Sequence, residues 1–530
     1  MRLGIDFGTT RIVVAAVDRG NYPVVAFDTP GGGSQDWCPS LIAVASAERL
    51  YGWQAWAAQE RPDTTIIRSI KRFLADAGPE TRVEIAGQSI PMLALLTGLT
   101  TGLRDALHDH SSLQIQRGEP LEIMLGVPAN ANGNQRFLTV EAFRRAGFEV
   151  LGLLNEPSAA SIEYGHGLRS RQETKPRDVI LVYDLGGGTF DASLVELEEQ
   201  RHAVLASEGI PTLGGDDFDE ILGDLALDTA NVPAQVRESL SQAEWFRLHE
   251  ECRLKKEAIH PNTRRILVEL ETVRENWPTV SVPIGVFHER CQPLIDETLH
   301  AVDDLLKNYA RPIEAVYMIG GASEMPIVSR NLREKHGRRV RRSTFTRSAT
   351  AMGLAIQADA QAGYLLRDKF TRSFGVWREA EAGHTMVFDP LFLKGTALPG
   401  VGEEPLSVTR RYYPAHNLGD FRYLECSHTT DDGRPTGEVT IWDEILFPFD
   451  ERLQFQADLS QVPVIREELA PPRLVEESYS CDASGAVTVT ISNLTAGYRR
   501  DYRLGRWAVK DEPVVPPGKK RRVARKAASK

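Results

Sequence analysis

At 530 residues, with 42% hydrophobic and 25% charged side chains, the chain has the composition of a globular protein of two or three domains. Its net charge of −11 argues against general nucleic-acid binding, and the lack of any long apolar run argues against a transmembrane helix. Five scattered cysteines without a CxxC pair, and an N-terminus without a secretory pattern, set the expectation of a cytoplasmic protein with free thiols.

The stretch Leu3-Gly-Ile-Asp6-Phe-Gly8-Thr9-Thr10 reads as a buried strand ending on one Asp, then a Gly/Thr turn. The apolar run Ile12 to Val17 is its returning strand. Helical periodicity covers Leu103 to Leu113 and Gln135 to Ala146, with a buried strand at Glu122 to Val127 between them. Val179 to Tyr183 is again a buried strand, and it leads into Asp184-Leu-Gly186-Gly187-Gly188-Thr189-Phe-Asp191 and a second strand at Ala192 to Val195. This repeats the opening hairpin. Helices follow at Trp245 to Ile259 and Leu294 to Ala310, and the strand Val316 to Ile319 runs into Gly320-Gly321. Strands alternating with helices up to about residue 365 mark an α/β fold. After Phe370 the period becomes two, in Phe421 to Cys426, Glu438 to Trp442 and Ala486 to Ser492, which is antiparallel β structure. Residues 506–530, with Lys519-Lys-Arg-Arg522, read as a disordered basic tail.

The repeated hairpin carries chemistry. A buried strand has no use for a carboxylate at its tip unless a cation or a proton meets it there, and glycines without a Cβ let backbone N–H groups close on an anion. Two such hairpins facing each other would grip a polyphosphate from both sides, with Asp6 and Asp184 holding Mg²⁺ through its waters. Neither GxxxxGK[ST] nor GxGxxG occurs, so the P-loop and Rossmann solutions are absent.

Further motifs narrow the choice: Gly126-Val-Pro128-Ala, Gln135-Arg136, Asn155-Glu156-Pro157, Leu213-Gly214-Gly215-Asp216-Asp217 and Ile319-Gly320-Gly321-Ala322. In this order and at these distances they resemble the heat-shock-70 (DnaK-type) chaperone family, within the sugar kinase and actin superfamily. The resemblance implies an α/β actin-like ATPase of duplicated ribonuclease-H-like lobes over residues 1–365. A linker at 366–372 and a smaller all-β sandwich at 373–505 follow, ahead of the tail at 506–530. It implies ATP and Mg²⁺, with Asp6 and Asp184 on the metal and Gly8, Thr9, Thr10, Arg11, Gly187, Gly188 and Thr189 around the phosphates. Gly214, Gly215, Lys256, Gly320 and Gly321 complete the nucleotide contacts. Lys71 matches the catalytic lysine, Glu156 and Asp191 match carboxylates that position the attacking water and bound cations, and Thr189 acts with them. Pro128 and Arg136 match residues that relay nucleotide state. The implied function is an ATP-hydrolysing chaperone that binds unfolded or extended polypeptide. A J-domain protein and a nucleotide exchange factor are its implied partners, with no membrane and no specific nucleic acid.

The chain departs from that pattern at the base end of the site. Arg253, Lys256 and His260 stand where the family has Glu, Lys and Ser; Glu324 replaces a stacking Arg, and Arg347 an Asp. Arg253 and Glu324 are expected to form a swapped ion pair. The linker keeps only part of the family's apolar run, Gly152 replaces an Arg that receives a J-domain, and a chain of this length is expected to carry no helical lid and so to release ligand fast. Three other readings stay open: a nucleotide-switched pseudo-ATPase, an actin-like filament protein, and a small-molecule kinase of the same superfold.

Overall fold

The computed structural model describes residues 1–504 apart from 46–47, 62–63, 79–80, 117, 171–177, 308, 381–384, 401–402, 431, 457, 467–471 and 483–484, so the basic tail lies outside the described residues. The opening hairpin forms from Arg2–Phe7 and Arg11–Ala16, antiparallel with Asp6 opposite Val13. Both strands are apolar along nearly their whole length because both faces of their sheet are covered. The sheet runs Glu149–Asn155, Glu122–Val127, Arg2–Phe7, Arg11–Ala16, Cys38–Pro39, with the first three strands parallel.

A six-stranded sheet repeats that plan. Asp178–Leu185 pairs antiparallel with Phe190–Glu198 on one side and parallel with Ala315–Ile319 on the other, and Val340–Arg342 adds a further parallel strand. Arg201–Ile210 and Leu365–Arg367 complete it. Between the two sheets, helices Glu156–Ser170 and Ala349–Ala358 share one core with both, built from Val13, Ala159, Val182 and Leu354 among others. Each sheet also has its own core on the outer side.

Helix boundaries differ from the periodicity in instructive ways. The helix expected over Leu103 to Leu113 spans Met92–Asp109, since the apolar stripe begins at once after Pro91. The one expected from Leu294 starts at Ile284 and continues to Lys307 through Pro293, a residue that normally signals a break.

Two four-stranded antiparallel sheets make up the C-terminal β region. One is ordered Thr385–Phe392, Ser373–Ala380, Leu418–Thr429, Pro435–Pro448, the other Leu406–Tyr412, Val475–Cys481, Val487–Asn493, Tyr498–Leu504. They enclose a core that includes Phe374, Tyr423, Phe447 and Ile491. This region is tied to the first sheet's helix Gly133–Arg145: Gly133 N donates to Glu425 Oε1 at 2.9 Å, and the Trp442 ring lies over Gly133. The segment read as a linker, 366–372, begins inside the strand Leu365–Arg367, which lies parallel on Arg201–Ala203 at the edge of the six-stranded sheet.

Candidate functional site

The two glycine turns meet. Gly187 and Gly188 lie so close to the first turn that a Cβ would stand 2.3 Å from Thr10 Oγ1 and 2.6 Å from Thr9 Cγ2, so only glycine lets the turns interleave. A third turn joins them, because Gly215 N donates to Gly186 O at 2.9 Å and Asp216 N to Gly187 O at 2.7 Å. Gly320 has φ +83°, and a Cβ there would sit 2.5 Å from Asp184 Oδ1. The result is a cleft between the two sheets, lined by Asp6, Lys71, Glu156, Asp184, Thr189 and Lys256 among others. Gly8, Thr9, Thr10, Arg11, Gly187, Gly215, Gly320 and Gly321 line it too, whereas Gly188, Gly214 and Asp191 do not.

Its floor is strongly acidic. Burial, with Glu156 nearby, pushes Asp6 up to about 7, and the same causes push Asp191 up to about 7; Asp184 rises well above the usual carboxylate range. Lys71 Nζ donates to Glu156 Oε1 at 2.5 Å, and although burial opposes its charge, Glu156 and Asp6 hold its pKa above the usual lysine value. Asp191 Oδ1 accepts from Ala129 N at 2.9 Å, next to Pro128. Four carboxylates share one ammonium group here, a deficit of positive charge that a divalent cation would relieve. Among the described residues no set of three or more His, Cys, Asp or Glu closes on a point that could hold a metal directly. A hydrated Mg²⁺ held through its waters fits that spacing, and the cradle of glycines fits a polyphosphate.

Lys71 reaches the cleft from the short helix Ile70–Ala75, entered through Ser69 at φ 56°, a left-handed conformation costly for a residue with a side chain. Contacts to the opposite side of the cleft hold it there. The Ser69 hydroxyl bonds Asp216, Arg68 pairs with Asp216 at 3.1 Å, and Arg72 pairs with Asp217 at 3.0 Å. The sequence reading gave these groups no such role, although Arg68, Ser69 and Arg72 lie within three residues of Lys71. Lys256 Nζ meets Asp219 at 2.6 Å and donates to Gly215 O at 2.5 Å.

The expected Arg253–Glu324 pair does not form. Arg253 bonds Glu250 at 2.7 Å and Glu257 at 3.1 Å, acceptors one turn away on its own helix Gln242–Glu257, and such local partners claim it first. Glu324 instead accepts from Arg347 at 2.6 Å and Arg342 at 2.9 Å. Glu257 joins the two halves, accepting from Arg347 at 2.9 Å and from Arg11 at 2.7 Å. His260 lies exposed past the helix end. Arg136 Nη2 donates to Asn155 Oδ1 at 2.7 Å, and Asn155 N reaches Asp368 Oδ2 at 3.4 Å, so the relay candidate faces the segment after Leu365–Arg367.

The sequence pattern of the family described as Hsp70 protein matches residues 114–378, half of the chain. The chaperone protein HscA homolog of Haemophilus influenzae (strain PittEE) is 30% identical over 402 residues, 71% of this chain and 61% of that protein. Its counterpart in Actinobacillus pleuropneumoniae serotype 5b (strain L20) is 33% identical over 399 residues, with the same coverage, and that of Colwellia psychrerythraea (strain 34H / ATCC BAA-681) is 30% identical over 376 residues, 68% of this chain and 58% of that protein. The match thus spans about three fifths of the length of these relatives. With paired glycine turns, an acidic cleft floor and this similarity together, the chain belongs to the Hsp70 family.

Proposed function

We propose that this chain binds ATP with Mg²⁺ in the cleft, hydrolyses it slowly, and couples nucleotide state to the binding of extended polypeptide by the β region. Residues 1–365 are then two duplicated, ribonuclease-H-like lobes of an actin-like ATPase, supported by the shared plan of the five- and six-stranded sheets. Residues 366–372 form the interdomain linker, 373–505 the polypeptide-binding sandwich, and 506–530 a tail.

The observation that carries the reading is the cleft floor, where Asp6, Asp184 and Glu156 meet Lys71 beneath the interleaved glycine turns, with Asp191 close enough to feel both Glu156 and Lys71. Mg²⁺, held through its waters by Asp6 and Asp184, would supply charge neutralisation on the phosphates. Thr9, Thr10 and the turn Gly187–Thr189 orient the phosphate chain, with Gly8, Arg11, Gly214, Gly215, Lys256, Gly320 and Gly321 completing the nucleotide contacts. Lys71 neutralises charge growing on the transferred group. Glu156 and Asp191 orient water, Asp191 being fixed by Ala129 N and able to hold a proton near neutrality because burial raises it. Extended polypeptide would be held by backbone pairing and side-chain pockets of the sandwich. A J-domain protein and a nucleotide exchange factor are the expected partners, and the cytoplasm the expected compartment, in keeping with five buried cysteines that are all free.

Calorimetric titration with ATP, ADP and GTP, with and without Mg²⁺, tests the reading. ATP and ADP binding that weakens strongly in EDTA is expected. No nucleotide binding under any of these conditions overturns it.

A further inference from the structure

Between Arg330 and Arg347 the chain carries seven arginines and one lysine against a single carboxylate, Glu334, in a protein whose net charge is −11. The run covers the later part of the helix Pro326–His336, the turn Gly337–Arg339, the strand Val340–Arg342 and the turn beyond it. Ile327, Val328, Leu332 and Val340 hold these elements to the core, which leaves most of the cations outside. Three are already paired: Lys335 with Asp303, Arg342 with Glu324 at 2.9 Å, and Arg347 with Glu324 and Glu257. The other five, Arg330, Arg333, Arg338, Arg339 and Arg341, are exposed and pair with no carboxylate among the described residues. Arg341 Nη1 donates to the Tyr164 hydroxyl at 3.1 Å.

Neither helix stability nor the nucleotide cleft accounts for these five. The helix dipole favours Arg333 in the last turn, but not Arg338, Arg339 or Arg341, which lie past the helix end. The strand Val340–Arg342 runs parallel to Ala315–Ile319 with Val340 opposite Val316, and Ala315–Ile319 enters the cleft at its far end, through Gly320 and Gly321. Arg338 and Arg339, just ahead of Val340, therefore stand at the end of the sheet away from the cleft. Like charges gathered in this way repel, and neighbouring imidazoles register their field. Burial and then Arg330 lower the pKa of His288; burial and then Lys335 lower that of His336, with Arg339 adding to the effect.

The strand Val340–Arg342 is the outermost of its sheet, so one edge of its backbone has no strand beside it. Charge on such an edge turns away a second copy of the chain, which would set arginine against arginine, and admits a strand of opposite charge. A guanidinium group takes a carboxylate in a two-point fork, which an ammonium group does not, and the patch is nearly all arginine. The negative charge of the whole chain, with Asp303 and Glu334 beside the patch, opposes a long polyanion or an anionic bilayer. A short segment meets the arginines alone, because charge is screened within about 8 Å in physiological salt. We propose that this edge strand and its five exposed arginines form a docking surface for an acidic, extended segment of a partner protein. The surface is independent of the function proposed above.

Fluorescence anisotropy of a labelled dodecapeptide of alternating Glu and Val, titrated with the nucleotide-free full chain, tests it. The first variant combines Arg338→Glu, Arg339→Glu and Arg341→Glu; the second and third change the same positions to Gln and to Lys. Every variant keeps the β region and the basic tail, so any binding there is common to all of them. The Glu variant should bind the peptide at least about tenfold more weakly than the parent, the Gln variant at least about threefold, and the Lys variant least of all. Raising salt to about 0.5 M should weaken the parent's binding by at least about tenfold. Should the Glu variant melt early, the Gln variant decides. No binding by the parent, or equal binding by the parent and a folded Glu or Gln variant, overturns the docking surface. A twelve-nucleotide single-stranded RNA or phosphatidylserine vesicles held more tightly than the peptide, and released by the same variants, would overturn the acidic polypeptide as its occupant.

Discussion

Lys71 Nζ donates to Glu156 Oε1 across 2.5 Å, joining the short helix Ile70–Ala75 to the first residue of the helix that packs between the two sheets. The pair brings a cation to a floor that otherwise holds only carboxylates. On the proposed mechanism, replacing Lys71 by Ala removes the cation that meets negative charge growing on the transferred group, and it leaves the glycine turns intact. Lys71→Ala should bind ATP within about threefold of the parent and hydrolyse it at least about a hundredfold more slowly in single turnover. Hydrolysis at the parental rate would remove Lys71 from the mechanism.

Asp6 and Asp191 give the nucleotide-free protein a pH dependence. Both are raised in the folded chain to about 7, from 3.8 in the unfolded one, chiefly by burial. Their contribution to stability is therefore complete below about pH 4 and is lost as pH rises through 7, because ionising them in the fold costs more than ionising them in the unfolded chain. Urea denaturation in EDTA should show stability falling between pH 5 and pH 8 relative to Asp6→Asn, by about 2 kcal/mol at most. Added Mg²⁺ with ADP should flatten the parent's own pH dependence, because the cation favours the ionised Asp6.

The base end should couple through Arg347 and not through Arg253. A double-mutant cycle of Glu324→Gln with Arg347→Gln, read as ATP affinity, should show an interaction of about 1 kcal/mol. The cycle of Glu324→Gln with Arg253→Gln should be additive within about 0.5 kcal/mol, since Glu250 and Glu257 hold Arg253. A larger coupling in the second cycle than in the first would reverse this assignment.

Gly133 is one point of contact between the β region and the rest of the chain. A Cβ there would lie 2.5 Å from the Trp442 ring, and its amide is held by Glu425, which burial raises above the usual carboxylate range. Gly133→Ala should force the two apart and expose the segment 366–372, raising its rate of limited proteolysis by about tenfold with little change in the melting of either part. Glu425→Gln should act in the same direction but more weakly, as it keeps an acceptor for the amide.

Much of this was legible in the residues themselves. The hairpins around Asp6 and Asp184 were readable because a buried apolar strand, a lone carboxylate and a glycine turn are local features, and their repetition needs no tertiary information. The change of hydrophobic period after Phe370 likewise marks β structure without any knowledge of packing. Helix starts were harder, since Met92 and Ile284 begin helices whose boundaries depend on where the apolar stripe finds a core.

Tertiary structure alone decided how charges are shared. Sequence order could offer Arg253 and Glu324 to each other, but only the fold shows that Glu257 stands between Arg11 and Arg347, residues 246 and 90 positions away from it. The same holds for Ser69 and Asp216, and for Gly133 and Glu425. Strand and turn signals arise within a few residues of backbone, whereas an ion pair forms with whichever partner lies nearest in space, and its strength depends on burial that no single segment contains.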